Sequence, residues 1–157
     1  CYYRGVAEFR TSDWLSAPAP LLDQMSGVTC AAGITQIGRL VRHGLSAGSA
    51  NQPIRALIFV GDACEEPADE LLSLAGECGL RKVPLFIFQE GYDQHAQAIF
   101  HNMAKLSGGA RLPFDLDSAD RLRGLLGAVA RFARGGIKAL RKSSTLEDQL
   151  LLDQLQQ

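Results

Sequence analysis

The sequence predicts a three-layer α/β/α fold with a mostly parallel central sheet and one antiparallel edge hairpin. Two almost unbroken apolar runs, Arg55–Val60 and Val83–Phe88, lack the alternation of half-exposed strands. Such runs are typical of strands that are covered on both faces, as in a parallel sheet. A helical pattern follows each run, and strand–helix alternation builds parallel sheets with right-handed crossovers. The 157 residues suffice for one sizeable core.

The first residues predict the hairpin. Cys1–Arg4 and Ala7–Trp14 are rich in aromatic and β-favouring residues, and Gly5 between them suits a turn. Pro20 then suits the first turn of a helix that runs through Met25.

Three further helices follow from apolar spacing and from their end signals. Thr35 opens the first of them, with apolar residues at helical spacing up to Gly44. The second is Pro67–Cys78, with Gly79 just beyond its end, and the third is Asp93–Leu106, with Asp93 as its cap.

The last third of the chain predicts an edge strand and a long helix. Arg111–Asp115 is the weaker strand, because Pro113 favours an edge position. Asp117 or Ser118 caps the helix that follows, and Gly135-Gly136 ends or bends it.

These elements divide into one domain over residues 1–142 and a tail over residues 143–157. The tail begins with a Ser/Thr break and continues as a Leu-rich segment with near-helical spacing. It packs either on its own domain or on a partner helix, and both alternatives remain open.

Composition excludes several classes of partner. The net charge of −1 gives no whole-molecule attraction to nucleic acid or anionic lipid. The longest apolar runs have five or six residues, too few to span a bilayer. Four widely separated cysteines without a C-x-x-C pair favour reduced thiols and a cytoplasmic location over a disulfide framework.

The candidate chemistry lies where strands end. Open parallel sheets bind ligands at the carboxyl ends of their strands, and Asp62 directly follows the first apolar run. Thr35 adds a hydroxyl oxygen at the start of a helix. A carboxylate, hydroxyls and waters are the hard ligands that Mg²⁺ favours. The alternative is that Thr35 caps its helix and Asp62 caps the next turn.

Two short motifs resemble the von Willebrand factor A family: Gly33-Ile34-Thr35 before a helix, and the strand Leu57–Asp62 ending in Gly-Asp. The resemblance covers the chain up to about Arg141. It implies a metal-ion-dependent adhesion site in which Thr35 and Asp62 match two metal ligands. It further implies Mg²⁺ or Mn²⁺, with an acidic side chain of a protein partner completing the coordination.

The family's first metal loop, D-x-S-x-S, does not occur in these residues. By the resemblance, the chain begins at the family's second strand, and the missing first strand is normally central in the sheet. We therefore expect a strand to be supplied from upstream or by another chain.

Three functions follow, of which the first is preferred. It is a non-enzymatic protein-interaction module that uses a metal at Thr35 and Asp62, with Glu90 as a rim contact. The second is a small α/β enzyme that binds a nucleotide or phosphorylated ligand at the same rim, although phosphate-binding motifs are missing. The third is a metal-free scaffold that works through its surfaces. Glu65 and Glu66 are interpreted as favourable charges in the first turn of the next helix.

Overall fold

The structure, a computed structural model, describes residues 1–29, 31–114, 119–143 and 145–156. Its strands form two separate sheets. β1 (Tyr2–Arg4) and β2 (Glu8–Arg10) pair antiparallel as a hairpin, as predicted, but β2 ends at Arg10 and does not reach Trp14. The second sheet is parallel, has the order β3-β4-β5, and consists of β3 (Leu57–Gly61), β4 (Leu85–Glu90) and β5 (Ala110–Phe114).

Six helices accompany these strands in the described residues: α1 (Pro18–Ser26), α2 (Ile37–Ala47), α3 (Ala68–Leu80), α4 (Gln94–Ser107), α5 (Ala119–Ser143) and α6 (Leu146–Leu155). One face of the parallel sheet packs against α2, α3 and α4, and the other packs against α5 and α6. The predicted three-layer α/β/α class is confirmed.

The central strand β4 explains why the sequence contains an unbroken apolar run. Leu85 and Ile87 point into the core shared with α2, α3 and α4. Phe86 and Phe88 point into the second core, which α5 and α6 close. All four side chains are fully buried, so both faces of β4 favour apolar residues.

The hairpin packs on α2 instead of extending the parallel sheet. The Phe9 ring meets the His43 ring edge-on, with 5.7 Å between centroids, and the Arg39 guanidinium stacks 4.6 Å from the centroid of Phe9. Tyr3 and Phe9 thereby extend the core that lies under α2.

Several helix ends differ by one or two residues from the predicted ones, and two of these differences have a structural cause. α2 begins at Ile37 instead of Thr35, because Thr35 bonds to a neighbouring loop, as described below. α3 continues through Gly79 to Leu80. Gly79 serves a close approach: a Cβ there would lie 2.3 Å from the carbonyl oxygen of Leu106 on α4.

Gly135-Gly136 was predicted to end or to bend this helix, and the structure shows the bend within α5. Gly136 has φ 62° and ψ −157°, a left-handed conformation that glycine adopts without a Cβ clash. Pro113 lies in β5, which is an edge strand of the described sheet, as predicted. The predicted caps Asp117 and Ser118 fall outside the described residues.

The Leu-rich tail forms α6 and packs on its own chain, against α5 and β5. Leu151 and Leu152 enter the core beneath α5. Asp148, fully buried, accepts a hydrogen bond from Arg131 Nε at 2.9 Å. It also accepts from the Thr145 backbone N–H at 3.2 Å, which completes a capping box at the start of α6.

No helix among the described ranges is both long and apolar enough to cross a membrane. Cys1, Cys64 and Cys78 are free thiols, of which Cys64 and Cys78 are buried. Cys30 lies outside the described residues.

Replacing Asp148 by Asn should destabilise the protein by about 2 kcal/mol, because charge-assisted hydrogen bonds would be lost inside the fold. Burial alone raises the pKa of Asp148, but hydrogen bonds from Arg131, Ser143 and Thr145 outweigh it and lower the pKa. The carboxylate therefore contributes stability above about pH 4, and this contribution is lost as the pH falls.

Urea unfolding measured between pH 2 and pH 7 tests this expectation. The matched control is Asp153→Asn, which alters an exposed carboxylate on the same helix. Equal losses of stability from the two variants at pH 7 would show that the buried Asp148 carboxylate stabilises the fold no more than an exposed one does.

Candidate functional site

The loop that follows β3 carries Asp62 at the carboxyl end of the sheet. Its side chain is exposed and makes no hydrogen bond or ion pair with any described residue. The carboxylate therefore has both oxygens available to a cation or a donor. It does not act as a turn cap, which was the alternative from the sequence.

Thr35 is joined to this same loop by two reciprocal hydrogen bonds. The Glu65 backbone N–H donates to Thr35 Oγ1 at 3.2 Å, and the Thr35 backbone N–H donates to Glu65 Oε2 at 3.1 Å. The N-cap of α2 is Gln36, so Thr35 does not cap its helix. The structure thus brings Thr35 against the segment that begins at Asp62.

Glu66 fixes the amino end of α2. Its carboxylate accepts from the Ile37 backbone N–H through a short contact and from the Gly38 N–H at 2.9 Å. These are two of the N–H groups that a helix leaves without internal partners. The sequence interpretation of Glu65 and Glu66 was wrong in this respect. Glu66 bonds to the start of α2, Glu65 bonds to Thr35 just before that helix, and neither lies in the first turn of α3.

Gly33, the glycine of Gly33-Ile34-Thr35, allows a close approach to the hairpin. The Gly5 N–H donates to the Ala31 carbonyl at 3.1 Å. A Cβ on Gly33 would lie 1.8 Å from the Gly5 carbonyl oxygen, which is closer than atoms can pack. The segment before Thr35 is therefore held against the turn between β1 and β2.

Tyr3 of β1 lies half-buried beside the acidic loop. Burial raises the pKa of its phenol well above the usual range, and the negative charges of Glu66, Asp62 and Glu65 raise it further. Burial is therefore the main cause, and the three carboxylates, which add to it, also favour a nearby cation.

At the carboxyl end of β4, a buried Gln89 links the strand to its neighbours. Gln89 is fully buried; its Nε2 donates to the Asp93 carbonyl at 3.0 Å, and its Oε1 accepts from Arg111 at 3.0 Å. Asp93 caps α4 by accepting from Ala96 N–H at 2.7 Å, as predicted. Glu90 is half-buried and has no described partner, so its carboxylate can still face a ligand.

The side-chain oxygens at the carboxyl edge of the sheet are of the chemical type that a hard divalent cation prefers. Asp62 offers a carboxylate without a partner, and the Thr35 hydroxyl oxygen retains a lone pair beyond its bond from Glu65. Mg²⁺ commonly takes one or two carboxylates and fills the remaining positions with water. Among the described residues, no group of three His, Cys, Asp or Glu side chains could hold a metal. Waters or a partner would therefore have to provide several ligands.

Cys64 lies in the same loop and is buried; its pKa is raised, chiefly by burial. A thiol with a raised pKa is a poor nucleophile, which agrees with a structural role.

Sequence reasoning missed Tyr3 and the true role of Glu66. Both act on residues that are distant along the chain, and a local pattern carries no signal of such pairing. The sequence did carry a faint signal, because Glu65 and Glu66 precede Pro67, the residue at which α3 was predicted to start.

Glu66→Ala should destabilise the protein by about 1–2 kcal/mol, because two helix N–H groups lose their acceptor. Chemical denaturation measures the loss. The control is Glu70→Ala, which removes only an exposed ion pair with Arg42 at 3.7 Å and should cost less than about 0.5 kcal/mol. A loss for Glu66→Ala no larger than that of the control would contradict the capping role.

Tyr3 should ionise only above the pH at which free tyrosine does. The folded state binds the phenol proton more tightly than the unfolded chain, so stability falls as the pH rises above about 10. Absorbance near 295 nm, recorded against pH for the wild type and Tyr3→Phe, measures the ionisation. The variant should lack the late phase and resist alkaline unfolding; an unchanged titration curve would refute this placement of Tyr3.

No protein-family model, curated protein or solved structure matched the chain. The likeness to the von Willebrand factor A family therefore stands on the motifs alone, and a functional assignment starts from the geometry of the Asp62 loop.

Proposed function

We propose that this chain is a non-enzymatic protein-interaction module of the von Willebrand factor A type. In this proposal Thr35 and Asp62 are ligands of Mg²⁺ or Mn²⁺, and a carboxylate from a protein partner completes the coordination. The carrying observation is the pair of hydrogen bonds between Thr35 and Glu65, which joins the hydroxyl to the loop of the unpartnered Asp62 carboxylate.

Electrostatics support a cation at this edge. Asp62, Glu65 and Glu66 lie within five residues, and the positive end of the α2 dipole meets the last two of them. Asp62 is left with an uncompensated charge. A divalent ion bound there would offset that charge and would present an open coordination position to the solvent.

A partner carboxylate is the ligand that suits such a position. Protein carboxylates bind Mg²⁺ more strongly than neutral oxygens because of their charge. Glu90, at the end of β4, would form the rim of the contact and would disfavour a partner with further acidic groups.

One observation favours a second candidate, the metal-free scaffold. Glu65 and Glu66 already join the Asp62 loop to α2 through hydrogen bonds, so the edge holds its shape without an ion. In that case the surface of the domain alone would bind the partner.

We further propose a cytoplasmic location. The free thiols of Cys64 and Cys78 are buried, and burial raises the pKa of Cys78 to about 11. Such thiols suit a reducing compartment, in which disulfides are rare.

The metal proposal predicts measurable binding of Mg²⁺ and Mn²⁺ by calorimetry. Asp62→Asn and Thr35→Ala should each weaken binding by about tenfold or more, because the first leaves only a neutral oxygen and the second removes the hydroxyl. Mn²⁺ should also broaden the NMR signals of the Thr35 and Asp62 amides before other signals, which locates the ion independently of affinity.

The control is Asp69→Asn, which neutralises an exposed carboxylate in the first turn of α3 and should leave binding unchanged. No heat with either ion, or equal binding by Asp62→Asn and the wild type, would reject the metal site and favour the metal-free scaffold.

A further inference from the structure

Helix α5 is strongly basic, although the protein as a whole is not. Residues 121–143 contain seven lysine and arginine residues and no acidic residue. Subtracting these seven positive charges from the net charge of −1 leaves −8 for the rest of the chain. Because salt screens exposed charges beyond about 8–10 Å, the local charge and not the net charge determines what this helix attracts.

The bend at Gly136 separates the last part of α5, residues 137–143, from the first part. Leu140 anchors this second segment, since its side chain is fully buried in the core beneath α5 and α6. The other side of the segment is exposed, and positions 137, 138, 141 and 142 span only about 140° of a helix with 3.6 residues per turn. This surface, which we call the α5 basic face, consists of Ile137, Lys138, Arg141 and Lys142.

The acidic residues that follow α5 do not neutralise this face. Asp148 is buried, 2.9 Å from Arg131. Glu147 packs beside Gly124 in the first part of α5, where a Cβ on the glycine would lie 2.7 Å from the Glu147 Cδ atom. In the part of the chain that the structure describes, no ion pair involves Lys138 or Lys142. Their positive charges are therefore available to an anionic partner.

Two exposed apolar side chains accompany the cations. Ile137 lies within the α5 basic face and is 39% exposed, and Leu146, the first residue of α6, is 71% exposed. Four residues of chain allow at most about 14 Å between the Cα atoms of Lys142 and Leu146. Cations and apolar side chains that share a helical surface are typical of helices that lie in the headgroup region of an anionic bilayer.

We propose that the α5 basic face, together with Leu146, binds the surface of a membrane that contains anionic phospholipids. Lys138, Arg141 and Lys142 contact the negatively charged headgroups, and Ile137 and Leu146 enter the boundary between headgroups and acyl chains. The contact is peripheral, with the helix lying along the surface. This inference does not rest on the metal site and remains testable if that site fails.

The shape and composition of the face favour a membrane over other anionic partners. The outside of a helix is convex, whereas a peptide is usually bound in a groove. Nucleic acid would satisfy the cations, but its phosphates gain nothing from Ile137 and Leu146, and the face carries no aromatic side chain on which a base stacks. A bilayer surface satisfies both the cations and the apolar side chains.

The test is cosedimentation of the whole chain with lipid vesicles. Vesicles of phosphatidylcholine are compared with vesicles of phosphatidylcholine and phosphatidylserine, and EDTA is present so that divalent ions cannot bridge protein and lipid. We expect binding to the vesicles that contain phosphatidylserine, weakening as salt is added, and little binding to phosphatidylcholine alone.

Two double variants separate the contributions of charge and of apolar surface. Lys138→Gln/Lys142→Gln should weaken binding about thirtyfold, the factor expected for the loss of two cations near an anionic surface. Ile137→Gln/Leu146→Gln should weaken binding about tenfold without changing its dependence on salt, because no charge is altered.

The matched control is Lys82→Gln/Lys105→Gln. It removes the same charge from two exposed lysines that belong to α4 and to the turn after α3, beyond the other face of the sheet. Vesicle binding by this variant should equal that of the wild type, and circular dichroism verifies that all variants fold.

The proposal is overturned if phosphatidylserine does not increase binding, or if Lys138→Gln/Lys142→Gln binds as well as the control. It is also overturned if Ile137→Gln/Leu146→Gln binds vesicles like the wild type while double-stranded DNA binds more tightly than vesicles do, which would assign the face to nucleic acid. A concentration-dependent dimer without lipid that Lys138→Gln/Lys142→Gln abolishes would instead assign the face to a second copy.

Discussion

The contact between two carboxylates and the amino end of α2 determines the arrangement of the upper edge of this molecule. Both carboxylates follow β3: Glu66 accepts from Ile37 and Gly38, which begin α2, and Glu65 accepts from Thr35 just before the helix. Because N–H groups at a helix start have no internal acceptors, the carboxylates satisfy them and also oppose the helix dipole. The hairpin depends on the same contact, since it packs on α2 and against the segment before Thr35.

Local signals predicted most of the architecture. The apolar runs that became β3 and β4, the proline of β5, the Asp93 cap and the bend at Gly136 each follow from a few neighbouring residues. Each of these features has a local physical cause. The apolar runs reflect burial on both faces of a strand, and the proline lacks an N–H. Asp93 provides an acceptor at a helix start, and Gly136 adopts a positive φ. Such features can be recognised without knowledge of the tertiary structure.

The candidate site could be predicted only in part. Asp62 was found because a strand end is a local feature, whereas Glu66 bonds to Gly38, 28 residues away in sequence. The burial of Tyr3 and the true reason for Gly79, a contact with α4, likewise depend on packing between distant segments.

The two edges of the parallel sheet, β3 and β5, differ in structure. On the β5 side, α6 packs against the strand, and Pro113 has no N–H to offer. On the β3 side, no strand among the described residues pairs with the outward backbone groups. A further strand could therefore be added beside β3, whereas the missing N–H of Pro113 opposes such an addition beside β5.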